Sequence, residues 1–176
     1  KNRVFKAGEN QDFLLIELGG TVGDIEGLPF LEAIREVKQE LGKSRVMFIH
    51  LTLIPFIKAA GELKTKPSQH SVQELRRIGI TPHMLICRTE HTLPQELKNK
   101  LAFSCDVDRN SVIEASDAST IYQVPMNFLK EDILTPIAKH FEIESLDPDM
   151  DEWNTLVKKI IAPKDEVKIA FVGKYL

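Results

Sequence analysis

The sequence predicts an α/β fold built on a mostly parallel, doubly wound sheet. Apolar runs of strand length alternate with stretches of helical periodicity, and glycine or proline punctuates most of the junctions. The alternation holds as far as Val124, beyond which the pattern is helical.

Residues 1–8 read as the tail of an incoming helix, so the chain looks truncated at its start. The run Phe13-Leu14-Leu15-Ile16-Glu17-Leu18 predicts a buried strand, and Gly19, Gly20 and Gly23 punctuate the turn after it. Phe30, Leu31, Ile34, Val37 and Leu41 then recur at helical spacing, with Pro29 suited to a first turn and Gly42 to the exit. Residues 45–54 form a second apolar run that ends at Pro55. Residues 70–78 predict a short amphipathic helix carrying Val72, Leu75 and Ile78, stopped by Gly79. A strand is expected over 84–87, a helix over 94–103 and a fourth strand over 112–115. Residues 125–141 and 151–161 read as helices, residues 162–166 as a polar linker, and residues 167–175 as a fresh strand opening a further domain. The expected organisation is a main domain over 1–146, a helical linker region over 147–166 and the start of another domain over 167–176.

Bulk properties remove several classes of function. A hydrophobic content of 43% supports a real core, while a net charge of −3 with acids and bases intermixed leaves no basic face for a nucleic-acid backbone. No apolar run approaches the roughly 18 residues that span a bilayer, and the N-terminal residues lack a signal-peptide core, so a cytoplasmic protein without membrane partners is expected. Cys87 and Cys105 sit in apolar surroundings and read as buried free thiols.

The chemistry concentrates in two blocks. A carboxylate that ends an apolar run beside paired glycines, as Glu17 does, suits a cation bridging nucleotide phosphates at a strand's carboxyl end. Asp24 and Glu26 follow before a helix, where its macrodipole favours acids or where they accept hydrogen bonds from a sugar or base. In the second block, Gly61-Glu62-Leu63-Lys64-Thr65-Lys66-Pro67-Ser68-Gln69-His70-Ser71, two lysines, two hydroxyls and an amide enter a helix N-terminus. Such a terminus favours anions, and Pro67 stiffens the approach. His50 reads as a satisfied core histidine and His70 as a first-turn residue. Lys100 interrupts an apolar helical face, with its stem packing and its amine reaching water. A glycine-rich loop ending in Lys-Ser or Lys-Thr is missing from the sequence as written.

Glu17 to Glu26, Gly61 to Ser71 and the ending Val172-Gly173-Lys174-Tyr175 resemble the synthetase (amidoligase) half of the CTP synthase family, in order and spacing, over essentially the whole chain. The resemblance implies a P-loop NTPase-like, Rossmann-like three-layer domain. It implies ATP-dependent amination of UTP to CTP: uracil O4 is phosphorylated, and ammonia released from glutamine in a glutaminase domain of the same full-length chain displaces the phosphate. It assigns UTP and CTP to Lys64, Thr65, Lys66, Pro67, Ser68, Gln69 and Lys100, and inhibitory CTP to Asp24, Ile25 and Glu26. ATP falls to Ser116, Asp117 and Ala118, and Mg2+ to Glu17. Homotetramers with nucleotide sites between subunits are implied as well. Ser68 stands where the family more often has Thr. The family's phosphate-binding loop and a second magnesium acid precede this stretch and its glutaminase triad follows it, so the fragment alone is expected to be inactive. Two other readings compete: a dethiobiotin-synthetase-like ATP-dependent ligase, and a catalytically silent nucleotide-sensing module.

Overall fold

The computed structural model describes residues 1–144 and 146–174. Its centre is a parallel three-stranded sheet of β1 (Ile49–Leu53), β4 (Met84–Thr89) and β5 (Val112–Ser116) in the order β1-β4-β5. Between β1 and β4 the chain makes a small antiparallel hairpin, β2 (Phe56–Ile57) and β3 (Glu62–Leu63), and then α3 (Lys66–Arg77). The crossover from β4 to β5 runs through α4 (Gln95–Cys105). Parallel strands joined through helices are the α/β arrangement the sequence predicts.

Strand alternation shows how the sheet is covered. His50 and Thr52 of β1 pair in register with Leu85 and Cys87 of β4, and these four side chains are buried on one face. There Leu85 and Cys87 join Ile54, Val72 of α3, and Leu101, Ala102 and Cys105 of α4 in the main core cluster. Met84 and Ile113 point the other way, by the period of two, and are also buried, so the sheet is covered on both faces at β4 and β5. On β1 the outward residues Ile49, Leu51 and Leu53 remain exposed. A second cluster joins Leu31 of α2 (Leu28–Leu41) to Leu75, Phe48 and Ile80. As expected, α2 carries Pro29 in its first turn and leaves through Gly42, whose φ of +89° is natural only for glycine.

The structure departs from the expected elements in four places. Residues 13–18 form no strand; Phe13, Leu14, Leu15 and Ile16 are exposed, because none of the strands of the sheet pairs with this run. The helix expected over 70–78 starts earlier, at Lys66, because proline is accepted in a first turn where its missing N–H is no loss. The helix expected over 125–141 is two, α5 (Val124–Lys130) and α6 (Leu134–Phe141). Pro136 explains the break: it lacks an N–H and is tolerated only in a first turn, so the helix containing it must begin just upstream. Residues 167–174 form no strand and carry exposed Val167, Ile169, Phe171 and Val172; Tyr175 lies outside the described residues. The short helix at the start, α1 (Asn2–Gly8), and α7 (Asp151–Ile161) fall where expected. Trp153 of α7 donates its indole N–H to the Tyr122 carbonyl at 2.8 Å.

His83, just before β4, carries a pH-dependent part of the stability. Its Nδ1 accepts the Phe48 N–H at 2.8 Å, and its ring lies edge-on to that of His140 at 4.5 Å. Burial, then the neighbouring His140 and Lys38, push its pKa down to about 4 from 6.5. The native state therefore resists a proton that the unfolded chain accepts, and the contribution is complete above pH 6.5 and lost as pH falls towards 4. The shift sets an upper bound, and half-exposure reduces it to about 1–2 kcal/mol. Urea midpoints of this chain between pH 7.5 and 4 should fall accordingly, and H83N, which keeps an acceptor but cannot titrate, should flatten the decline.

Candidate functional site

Parallel strands present their carboxyl ends at one edge, and there an open α/β sheet binds ligands. β1 leaves this edge into Ile54, whose N–H donates to the Arg88 carbonyl at 2.8 Å. β5 leaves it into Asp117, whose N–H donates to the Thr89 carbonyl at 3.1 Å. Residues 54–55, 88–91 and 116–118 thus lie side by side.

The hairpin delivers the lysine block to the same edge. Ile57 pairs with Glu62, and Gly61 turns the chain at φ +64°, its N–H meeting the Ile57 carbonyl at 2.9 Å. The Lys64 N–H then donates to the Pro55 carbonyl at 2.9 Å, which ties the block to the end of β1. Lys66, Pro67, Ser68 and Gln69 form the first turn of α3 and Thr65 its cap position. Pro67 has no N–H and the Gln69 N–H donates to the Thr65 carbonyl at 3.1 Å, so the N–H groups this turn offers to an anion are those of Lys66 and Ser68.

The six residues of the block divide into frame and face. Ser68 is fully buried: its hydroxyl accepts from Thr52 Oγ1 at 2.9 Å and donates to the Leu53 carbonyl at 3.0 Å. Thr65 is buried too, and its Oγ1 accepts from Gln69 Nε2 at 3.2 Å. The Ser68 hydroxyl anchors the helix start to β1, and the Thr65 hydroxyl ties the cap position to Gln69 in the same turn. Lys64, half-exposed, and Lys66, exposed, supply the charge. Lys64 forms an ion pair with Glu62, and the carboxyl of Glu62 lies below its usual range chiefly through that bond, then through the charges of Lys64 and Lys100. The Lys100 ammonium on α4 thus acts on the same corner of the molecule.

The other expected residues lie in three further places. Asp24 closes a turn, its Oδ2 accepting the Thr21 N–H at 3.1 Å, with Gly23 at φ +105° inside it. Ile25 and Glu26, in the single 3-10 turn that leads into α2, are exposed, Ile25 to 83%. Ser116 ends β5, Asp117 pairs with Arg88 at 3.4 Å, and Ala118 follows. Glu17 is exposed on the segment without regular structure.

Sequence reasoning missed the groups that β4 contributes. Thr89 Oγ1 donates to the His91 carbonyl at 2.8 Å, and the His91 ring meets that of Phe56 at 4.2 Å. The signal was the burst Arg88-Thr89-Glu90-His91 directly after an apolar run. His50 is the satisfied core histidine expected: buried, within 2.8 Å of Ser71 Oγ, its pKa lowered by burial. Cys87 and Cys105 are buried free thiols; desolvation pushes Cys87 up to about 12, so neither group is a thiolate near neutral pH.

A family profile described as CTP synthase N-terminus matches residues 1–143. The chain belongs to the CTP synthase family. CTP synthase of Wolinella succinogenes is 70% identical over 176 residues, which are all of this chain and 32% of that protein. CTP synthases of Nautilia profundicola and Campylobacter jejuni are 68% and 64% identical over the same 176 residues, again 32% of their length. The chain thus spans about a third of the length of the curated relatives it matches.

Among the described residues no three carboxylate, imidazole or thiol groups come together as a metal cage, and no helix is long and apolar enough to cross a membrane. Mg2+ keeps most of its waters and takes one or two carboxylates beside substrate phosphates. Glu17, an exposed carboxylate, is a ligand of the type such an ion takes.

Proposed function

We propose that this chain forms the nucleotide-binding part of an enzyme that aminates UTP to CTP with ATP and ammonia derived from glutamine. The observation that carries the reading is the placing of Lys64 and Lys66 about the open N-terminus of α3, at the carboxyl edge of the sheet. Point charges on flexible stems suit a triphosphate, and buried Thr65 and Ser68 fix the backbone of the turn that carries Lys66. Lys100 adds a third cation. Ser116, Asp117 and Ala118, at the end of β5 two strands away from β1, are proposed for ATP, and Asp24, Ile25 and Glu26 for CTP acting as inhibitor. Mg2+, held by Glu17 and the phosphates, would supply charge neutralisation at the γ-phosphoryl group.

In the proposed reaction uracil O4 attacks the γ-phosphorus of ATP. The bond to ADP breaks and N3 gives up its proton. Ammonia then adds at C4, inorganic phosphate leaves with O4, and a proton is lost from nitrogen. The lysines hold the UTP triphosphate away from the reacting ring, so their role is binding and orientation. The full-length protein is proposed to carry the glutaminase and to work as a homotetramer.

Full-length enzyme assayed with ammonia, UTP, ATP and magnesium should form CTP, and CTP should inhibit it. Glu17→Ala should abolish magnesium-dependent ATP use. Absence of CTP formation by the intact wild type, with saturable CTP binding retained, would replace the enzyme reading with that of a sensing module.

A further inference from the structure

Glu62 carries none of the roles assigned above, yet it governs the charge of the lysine block. It stands opposite Ile57 on the hairpin and takes the Lys64 ammonium in an ion pair. Lys66 and Lys100 have no ion-pair partner among the described residues; of the three cations, Lys64 is the one covered. The two side chains of the pair are 45% and 56% exposed, so water screens it and exchange is easy. The backbone beneath is fixed by the Lys64 N–H on the Pro55 carbonyl and by buried Thr65 and Ser68. Lys64 therefore leaves Glu62 by side-chain rotation alone, without moving the frame.

We propose that Glu62 is a positioning residue for Lys64: an internal carboxylate that occupies the ammonium in the empty site and is displaced by the phosphates of the incoming nucleotide. The inference rests on the proposed triphosphate role of residues 64–69 and deepens it. Before binding, the carboxylate holds a long flexible side chain close to where it acts and shields it from ambient monoanions, which offer no more charge than Glu62 does. A polyphosphate offers more charge than the carboxylate and wins the exchange. The arrangement lowers affinity, because each binding event must first break the Lys64–Glu62 ion pair.

The test uses full-length enzyme and two probes, inorganic tripolyphosphate and UTP, titrated at low ionic strength. Glu62→Gln should tighten both by about 1.5-fold to fivefold, the range of an exposed pair, and lower KM for UTP with kcat unchanged. Glu62→Asp should restore the wild-type values. In a Lys64→Met background, Glu62→Gln should change neither constant, which separates coupling through Lys64 from a general effect on folding or net charge. Weaker or unchanged binding by Glu62→Gln, or a gain that persists without Lys64, would overturn the inference while leaving the triphosphate site standing. Probe binding by the wild type that Lys64→Met does not alter would overturn the inference and the assignment of Lys64 together.

Discussion

Lys66→Ala in the full-length enzyme is expected to lower kcat/KM for UTP by roughly 10- to 150-fold, the equivalent of one charge-assisted hydrogen bond of about 1.5–3 kcal/mol. Lys66 is exposed, opens α3 and has no carboxylate partner among the described residues, so nothing in the free protein competes for its charge. Alanine is a good helix former, and the frame below, Ser68 on Thr52 and Leu53, does not involve the Lys66 side chain. The melting temperature should therefore hardly move while UTP and CTP binding both weaken. Rates are best measured with ammonia as nitrogen donor, so that glutamine hydrolysis does not limit them. An unchanged KM for UTP would remove the first turn of α3 from the triphosphate site.

The sequence made legible those elements whose signals are local. Pro29 and Gly42 bracket α2 because one lacks an N–H that a first turn does not need and the other accepts a positive φ. β4 and β5 are apolar runs bounded by turn residues, and the structure keeps them as neighbours in a parallel sheet. What escaped depends on partners distant in sequence. The hairpin of β2 and β3 has two residues to a strand, too few for any alternation to appear, yet it carries Lys64 to Pro55. The apolar run over 13–18 has the composition of a buried strand, but composition does not supply a neighbour, and among the described strands it has none. The break between α5 and α6 was written in Pro136 and was overlooked because the apolar spacing continued across it.

The candidate site shows the same division. The residue types of the lysine block pointed to an anion, and the structure keeps that chemistry at the carboxyl edge. Their division of labour was not legible. A hydroxyl in a polar loop and a hydroxyl inside a core read alike in sequence, and only the register of β1 against α3 decides that Ser68 faces Thr52. The same holds for Glu62, whose place beside Lys64 follows from the hairpin pairing and not from a motif.

Glu131→Ala is expected to destabilise the chain by about 2–4 kcal/mol. Glu131 Oε2 accepts from the Lys98 ammonium on α4 and, at 2.9 Å, from the Glu114 N–H on β5. Glu114 in turn accepts the Leu93 N–H at 2.8 Å on the loop that enters α4. Two carboxylates thus tie the middle of β5, the loop after β4 and the helix bearing Lys100. The Lys98 and Glu131 side chains are 15% and 26% exposed, so the pair is largely withdrawn from water. Removing one partner leaves a desolvated ammonium and a strand N–H without an acceptor, which together cost more than the intact pair contributes. With a urea slope of about 2 kcal/mol/M the midpoint should fall by about 1–2 M. Glu131→Gln, which keeps an acceptor for the Glu114 N–H, should lose about half as much. Lys98→Met combined with Glu131→Leu should recover part of the loss, because it removes the stranded charge. A double variant no more stable than Glu131→Ala would show that the strand N–H, and not the ammonium, dominates the penalty.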